Sequence, residues 1–174
     1  MSDGVVGRIP RTPSTVVRPI LDTDIDHLLQ VQHHAYEQRY WESAESFRAK
    51  VIAGAGSCCG AWNDGTMLGY LIALPLADNT APSLNSVELP AVAPDTATTM
   101  FIHDLAVLPD HRGAGLADVL LVHLYESALR RNIEQFRLIS VQESQPFWQS
   151  RGFVVEPDPV PPGYGPEAVL MSRR

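Results

Sequence analysis

The chain has 174 residues, of which 45% are hydrophobic and 19% are charged, and its formal net charge at pH 7 is −7. This length and composition predict one globular domain over residues 15–174, after a flexible lead over residues 1–14 that is rich in Gly, Pro, Ser and Thr. The negative charge argues against a nucleic-acid-binding protein, which needs a basic surface. No apolar run approaches the roughly 20 residues of a membrane span.

The two cysteines, Cys58 and Cys59, are adjacent in the sequence. Neighbouring cysteines rarely pair with each other, and no C-x-x-C pair or His/Cys cluster has the spacing of a metal site. The simplest interpretation is a pair of buried thiols on a strand in a reducing compartment. Because the N terminus also lacks the apolar core of a signal peptide, we expect a cytoplasmic protein without a bound metal.

The first half of the chain is predicted to form a short strand, two helices and a β-hairpin. Apolar spacing and capping residues place these elements at 16–18, 21–36, 42–52, 58–62 and 67–76. Residues 77–99 are rich in Pro, Ala, Asp and Thr and show no clear period. They predict a long loop, and a loop of this length is usually functional or mobile.

The second half of the chain predicts alternating strands and helices. We place strands at 101–108, 136–141, 153–156 and near 168–172, and helices at 115–131 and 146–151. A proline-rich segment, residues 157–166, separates the last two strands. The predicted order of elements is therefore β-α-α-β-β-β-α-β-α-β-β.

The segment FIHDLAVLPDHRGAGLADVLL, residues 101–121, contains a strand, a break at proline and a glycine-rich turn that opens a helix. Such a turn is typical of an anion site, because the first turn of a helix leaves about four N–H groups unpaired at the positive end of the helix dipole. Gly113 and Gly115 would let an anion approach the main chain closely. A P-loop is excluded because no Lys and no Ser or Thr follow Gly115. A dinucleotide-binding fingerprint is excluded because Asp118 stands at its last position, where a carboxylate would face a phosphate.

Arg112, Gly115 and Ala117 form the pattern R-x-x-G-x-[GA] after a strand that ends in Leu-Ala-Val-Leu-Pro. This pattern resembles the acyl-CoA-binding motif of the GCN5-related N-acetyltransferase (GNAT) superfamily. The segment 140–157 resembles a later motif of the same family, with Phe-Trp and Gly-Phe pairs at matching spacing. The resemblance implies the GNAT fold, an α/β (α+β) architecture in which about four helices flank a central mixed, mostly antiparallel sheet of about six or seven strands.

The resemblance also implies acetyl-CoA as the cosubstrate. The strand backbone would pair with the pantetheine arm, an N–H near Leu105 would stabilise the tetrahedral oxyanion, and Arg112 would contact the pyrophosphate. An ordinary solvated turn arginine remains the alternative for Arg112. The predicted cofactor-binding residues are Leu105, Ala106, Val107, Arg112, Gly113, Ala114, Gly115, Leu116, Ala117, Ser144, Phe147 and Trp148.

Trp148 departs from the family pattern, which commonly has a tyrosine there that protonates the departing thiolate. An indole is not a usable acid near neutral pH. With a thiol pKa of about 8.5, the loss of this acid is worth at most roughly 2 kcal/mol at pH 7, whereas deprotonating an alkyl ammonium costs roughly 4–5 kcal/mol. The base therefore matters more than the acid, for which Ser144 and Tyr164 are candidates.

His103 is the predicted general base. The segment IHDLAV resembles the arylalkylamine N-acetyltransferases, in which a histidine two residues before the leucine of Leu-Ala-Val lines the acceptor channel. An imidazole titrates near pH 6.5, which suits proton transfer at neutral pH. On a regular strand Phe101, His103 and Leu105 share one face, and Asp104 points to the other, where it would anchor a loop or helix. A packed strand histidine is the alternative.

The resemblance places the acceptor pocket at residues 36–42 and 157–166. Tyr36, Tyr40, Trp41 and Tyr164 are the predicted substrate-binding residues, and Glu37, Glu42 or Glu45 could attract a cation. His33 and His34 are expected to be surface or packing residues rather than metal ligands.

The function that the resemblance implies is transfer of an acetyl group to a primary amine, on a small molecule or a peptide, by direct attack in a ternary complex. A sensor or interaction module that binds CoA without chemistry is the alternative, and Trp148 motivates it. A homodimer is the common arrangement in the family.

Overall fold

The computed structural model describes residues 15–54, 56–93 and 95–174, so the predicted lead, residues 1–14, lies outside the described residues. The strands are β1 (Val16–Pro19), β2 (Cys59–Asn63), β3 (Thr66–Leu76), β4 (Thr99–Val107), β5 (Gln135–Ser140), β6 (Val154–Val155) and β7 (Val169–Arg173). The α-helices are α1 (Ile25–Ala35), α2 (Ala44–Gly54), α3 (Leu116–Arg130) and α4 (Gln145–Gln149).

The seven strands form one sheet in the order β1-β2-β3-β4-β5-β7-β6. The pair β4–β5 is parallel, and every other neighbouring pair is antiparallel. The parallel pair is connected by α3, as a crossover between parallel strands requires. This architecture confirms the predicted fold class, and the element bounds agree with the sequence-based ones to within a few residues.

Helices cover both faces of the sheet. On one face α3 contributes Leu120, Leu124 and Ala128, at helical spacing, to the largest core cluster. On the other face α1 and α2 supply a second cluster that includes Leu28 and Phe47. Strand β3 is buried from Met67 to Leu76 because it lies between these two layers, which explains its nearly continuous apolar sequence.

Strands β4 and β5 separate partway along their length. Their ladder joins Thr99–Ile102 to Gln135–Leu138, whereas β4 stays paired with β3 as far as Val107. In the part of the chain that the structure describes, the β5-facing edge of residues 103–107 therefore has no strand against it. Main-chain groups along this edge can pair with an extended ligand, although the Leu105 and Val107 carbonyls already have the Tyr36 hydroxyl and the Arg112 side chain as hydrogen-bond partners.

A β-bulge in β4 overturns the predicted alternation of side chains. Ile72 of β3 pairs with Asp104 and the next residue, Ala73, pairs with Ile102, so His103 is the extra residue. An extra residue resets the period of two. Asp104 therefore lies on the same face as His103, where it contacts side chains from α1 and β3, whereas Leu105 packs with the α3 cluster. The prediction that Asp104 points away from His103 is wrong.

The long segment between β3 and β4 packs against the sheet. Ala81, Leu84 and Leu89 contact a third apolar cluster, which contains Phe101 and Tyr164. Cys58 and Cys59 are buried free thiols, as predicted. Within the described ranges, no helix combines the length and hydropathy that crossing a membrane would need.

The anchoring of α3 can be tested with two variants of that helix. Leu120 is completely buried and Val122 is 55% exposed. We expect Leu120→Ala to lower the free energy of unfolding by about 2–5 kcal/mol, because it leaves a cavity between helix and sheet. Val122→Ala should change it by less than about 0.5 kcal/mol. Urea unfolding followed by circular dichroism measures both, and equal effects would contradict the packing described for α3.

Candidate active site

A cavity of about 560 Å³ follows the open edge of β4. It joins the glycine-rich turn, the start of α4, the segment between α1 and α2, and the segment before β7. The predicted site residues on its wall are Tyr36, Tyr40, His103, Leu105, Ala106, Val107, Arg112, Gly113, Gly115, Leu116, Ala117, Ser144, Phe147, Trp148 and Tyr164. Of the predicted set, all of which the structure describes, Ala114 and Trp41 are absent from this wall.

The glycine-rich turn presents unpaired amides to the cavity. Gly115 is the N-cap of α3 with φ = 80°, and Gly113 has φ = 78°. A Cβ added to either glycine would meet no protein atom within 4 Å, so the space above the turn is open. The first helical hydrogen bond of α3 runs from the Val119 N–H to the Gly115 carbonyl, at 3.1 Å. The preceding amides are left for an anion.

Arg112 is held by main-chain carbonyls. Its Nε donates to the Val107 carbonyl at 3.1 Å, and a terminal nitrogen donates to the Ala35 carbonyl at 3.4 Å. The side chain thereby joins the end of β4 to the end of α1. This arrangement gives Arg112 a positioning role, and its contact with a pyrophosphate stays a prediction.

Arg151 is a cation at the cavity that the sequence analysis missed. Its guanidinium lies 3.7 Å from the centre of the Phe147 ring and 2.6 Å from an Asp118 carboxylate oxygen at the start of α3. In the sequence, Arg151 is marked only by its position one residue before Gly152. That position does not show that the end of α4 approaches the start of α3. The guanidinium lies beside the open amides, where the Asp118 carboxylate balances its charge.

Two further residues of the second motif are held by local contacts. Ser144 is the N-cap of α4, and its hydroxyl lies 2.9 Å from the Ser140 hydroxyl. Trp148 is 6% exposed and packs edge-on against Phe147 and Phe153, so its ring is part of the core as well as of the cavity wall.

Aromatic residues form the opposite end of the cavity. The Tyr164 hydroxyl donates to the Pro82 carbonyl at 2.9 Å, and Tyr40 is buried. Trp41 instead stacks on His33, with ring centres 4.2 Å apart, and its indole N–H donates to the Tyr36 carbonyl. Trp41 therefore packs on the outside of the segment between α1 and α2.

The described residues also contain no group of three or more His, Cys, Asp or Glu that could hold a metal.

Asp104 is a half-buried carboxylate next to the bulge at His103, where the open edge begins. It accepts hydrogen bonds from the hydroxyls of Tyr36 and Tyr70, and the Tyr36 hydroxyl also lies 3.0 Å from the Leu105 carbonyl oxygen. Burial raises the pKa of Asp104 to about 6, although the two tyrosine hydrogen bonds partly oppose it. Burial also raises the pKa of both tyrosines, so they remain protonated donors.

Glu42 is the second buried carboxylate, and it contacts His103. Its Oε1 lies 2.6 Å from His103 Nε2, and its Oε2 lies 2.7 Å from Lys50 Nζ. Burial alone would raise the pKa of Glu42, but the His103 ring and the Lys50 ammonium lower it to about 2. Glu42 was a candidate for attracting a cationic substrate, yet its oxygens are already occupied by groups of this chain. Lys50 went unrecognised, although it is the only lysine of the sequence.

Asp104 gives the protein a pH-dependent stability that Asp104→Asn should remove. Because its folded pKa lies above its unfolded one, its contribution to stability is greatest below pH 4 and is lost as the pH rises through 6. The free energy of unfolding of the wild type, relative to Asp104→Asn, should fall by up to about 3 kcal/mol over that range. Urea unfolding at pH 2.5 to 7.5 measures the difference.

Asp24→Asn is the control for this pH dependence. The Arg18 guanidinium holds the pKa of the Asp24 carboxyl below its usual range. Its contribution is therefore present above pH 4 and lost at lower pH, which is the opposite sign. A difference between wild type and Asp104→Asn that stays constant with pH would contradict the burial of an ionisable Asp104.

Comparison with solved structures identifies the fold. The loading GNATL domain of CurA from Lyngbya majuscula superposes with a TM-score of 0.74 at 15% identity, covering 91% of this chain and 96% of that one. PaiA N-acetyltransferase from Thermoplasma acidophilum, in complex with coenzyme A, superposes with a TM-score of 0.68 at 16% identity, covering 92% of this chain and 99% of that one. The GphF GNAT-like decarboxylase, in complex with isobutyryl-CoA, superposes with a TM-score of 0.71 at 17% identity, covering 90% of this chain and 97% of that one.

Sequence comparison identifies the family. None of the curated proteins compared with the chain matches it. At the identities above, the structural likenesses show the fold alone, because proteins with one fold can perform different chemistry. The model of the acetyltransferase (GNAT) family, however, matches residues 23–153, which span both motifs and the greater part of the sheet. The chain belongs to the GNAT acetyltransferase family.

Proposed function

We propose that the protein transfers the acetyl group of acetyl-CoA to a primary amine on a small molecule or a peptide. Membership of the GNAT family supports acyl transfer from CoA at the level of the class. The observation that carries the proposal for this chain is the open edge of β4, which runs from the bulge at His103 to the amides of the glycine-rich turn. One end suits a phosphate and the other end suits proton transfer.

The donor lies along this open edge. Its phosphates bind the amides between Gly113 and Asp118, beside the Arg151 guanidinium, and its pantetheine arm pairs with the main chain of residues 105–107. The thioester oxygen then faces a main-chain N–H near Leu105, which stabilises the oxyanion. The PaiA and GphF structures, which are complexes with coenzyme A and isobutyryl-CoA, are consistent with a donor on this fold.

The acceptor reacts by direct attack within a ternary complex. An alkyl ammonium first loses one proton to His103, and the amine nitrogen then bonds to the thioester carbon as the carbon–sulfur bond breaks. The nitrogen releases its second proton, the thiolate gains one, and one proton leaves to solvent overall. The His103 side chain is only 1% exposed, and the Tyr164 hydroxyl already donates to the Pro82 carbonyl. The proton therefore reaches Nδ1 through a water, or through Tyr164 once its hydroxyl turns from Pro82 toward Nδ1, 3.5 Å away.

The departing thiolate takes its proton from solvent or from a hydroxyl, because Trp148 provides none. Ser144 and Tyr164 remain the proposed donors, and both hydroxyls line the cavity. The alternative function is a module that binds CoA but performs no chemistry. The indole in place of the expected hydroxyl is the observation that favours this alternative. The two are separated by measuring thiol release after CoA binding has been established.

Binding of the donor can be tested with two matched glycines. Gly115 and Gly65 have φ values of 80° and 79°, and a Cβ at either would meet no protein atom within 4 Å. Alanine at both positions therefore carries a similar backbone strain, but only Gly115 lies at the proposed phosphate site. We expect CoA and acetyl-CoA, but not ATP, to raise the Tm of the wild type.

The same rise in Tm should persist in Gly65→Ala. In Gly115→Ala it should be absent, or should need at least a tenfold higher CoA concentration. The Tm values measured without ligand correct for the strain itself. No shift at millimolar CoA in the wild type would contradict the donor site and, with it, the proposed function.

His103→Ala should lower kcat/KM for the amine by about 100-fold or more at pH 7, because it removes the general base. Thiol release, followed across pH 6–9 with a panel of small amines and peptides, is the measurement. His34→Ala is the control, since His34 is exposed and is not on the cavity wall. A kcat/KM that His103→Ala leaves unchanged over this range would overturn the assigned base.

A further inference from the structure

Glu42 from the segment between α1 and α2, Ser46 and Lys50 from α2, and His103 from β4 form a buried cluster of polar and ionisable side chains. The side chains of Lys50, His103 and Glu42 are 0%, 1% and 2% exposed. Burying three ionisable groups costs more free energy than burying apolar side chains of the same size. Such a cluster, lying at the wall of a cavity, suggests a task other than stabilising the fold.

Glu42 is placed by contacts from three parts of the chain. The buried Gln32 side chain of α1 exchanges two hydrogen bonds with the Glu42 main chain, at 3.1 and 2.7 Å. Ser46 of α2 donates to Oε2 at 3.0 Å, and the Asn85 N–H from the β3–β4 segment donates to the same oxygen at 2.6 Å. The carboxylate therefore has one position, with Oε1 directed at the His103 ring.

The direction of the hydrogen bonds determines where the His103 proton lies. Lys50 donates to Glu42 Oε2, to Ser46 Oγ and to the Ser86 carbonyl, so all three N–H groups of an ammonium have acceptors. Beside this ammonium Glu42 is ionised and can only accept. His103 Nε2 must then carry the proton, and the lone pair of the neutral ring is on Nδ1. That nitrogen is the one 3.5 Å from the Tyr164 hydroxyl.

We propose that Glu42 and Lys50 are positioning residues that make His103 a base at Nδ1. Glu42 holds the Nε2–H tautomer and stabilises the imidazolium that forms when the amine proton arrives. Lys50 keeps Glu42 ionised, so that the carboxylate does not take that proton itself. The assignment rests on the proposed function, because it concerns the base of that reaction.

The charges around the ring agree with this assignment. The groups that face His103 are Glu42 and, behind it, Lys50 from the α2 side, Tyr164 from the segment before β7, and Asp104 from β4 itself. Asp104 is held by the hydroxyls of Tyr36 and Tyr70, so it is not a direct partner of the ring. Glu42 is therefore the only carboxylate among the described residues that hydrogen-bonds the imidazole.

The test is the pH profile of kcat/KM for Glu42→Gln and Lys50→Met. Glu42→Gln removes the negative charge beside the ring, so the acid limb should move to lower pH and the plateau should fall about 10- to 100-fold. Lys50→Met removes a positive charge, so the acid limb should move to higher pH. A merely structural role predicts no movement of the limb in either variant, and that result would overturn the proposal.

The double variant Glu42→Gln/Lys50→Met guards against loss of folding. It leaves no unpaired buried charge, so its Tm should recover relative to the single variants, while its plateau stays low. Recovery of both Tm and the plateau to wild-type values would show a structural role only. Asp24→Asn is the control, because it breaks an ion pair with Arg18 that is more exposed and lies on the edge of the sheet, away from His103. It should lower Tm without moving the acid limb.

A measurement that needs no substrate keeps this inference separate from the proposed function. Nitrogen-15 spectra of histidine-labelled protein at high pH should show His103 as the Nε2–H tautomer, with the signal assigned by its absence in His103→Gln. The Nδ1–H tautomer, or a mixture, would overturn the inference and leave the acetyltransferase proposal standing. Absence of thiol release with every amine, despite the Nε2–H tautomer, would instead overturn the proposed function and the base it requires.

Discussion

The site depends on one feature of the sheet, which is that β4 keeps its partner on one side and loses it on the other. It remains paired with β3 to Val107 but leaves β5 after Ile102. The ladder with β3 is interrupted only by the bulge at His103 and continues to Val107, so it holds the main chain of the open edge in place. The bulge at His103 lies where the two strands part, and it brings His103 and Asp104 to the same face. Main-chain groups of β4 therefore line one part of the cavity, and the ionisable side chains of His103 and Asp104 line another.

Two carboxylates on the wall of the same cavity, the buried Glu42 and the half-buried Asp104, have opposite pKa shifts. Glu42 has cationic partners, which outweigh its burial and lower its pKa to about 2. Asp104 has the hydroxyls of Tyr36 and Tyr70 as partners, which oppose its burial only in part, and its pKa rises to about 6. A neutral donor stabilises a carboxylate less than a full charge does, because it contributes no net Coulomb attraction. The chain thus uses Glu42 as a permanent charge and keeps Asp104 close to titration.

Much of the donor side was predictable because its signals are local. Strand, turn and helix follow one another within residues 99–130, and the glycines reveal the turn by their own conformational needs. The acceptor side was predicted only in outline. Tyr36, Tyr40 and Tyr164 lie on the wall, but Trp41 stacks on His33 outside it, and Arg151 was missed. An aromatic residue in a loop can face either way, and only the packing of α1 and α2 decides which.

The sequence by itself determined the order of the elements, the sheet class, the glycine-rich turn before α3 and the family, because apolar periodicity, turn residues and motif spacing act over a few residues at a time. Only the tertiary structure decided which groups surround His103. Glu42 and His103 are 61 residues apart and meet because the segment between α1 and α2 lies on the face of the sheet toward which His103 points. A bulge that no local pattern announces turned Asp104 toward them. Side-chain periodicity predicts the direction of a residue only while the strand stays regular, and the ionisable side chains of this cavity lie where β4 is irregular.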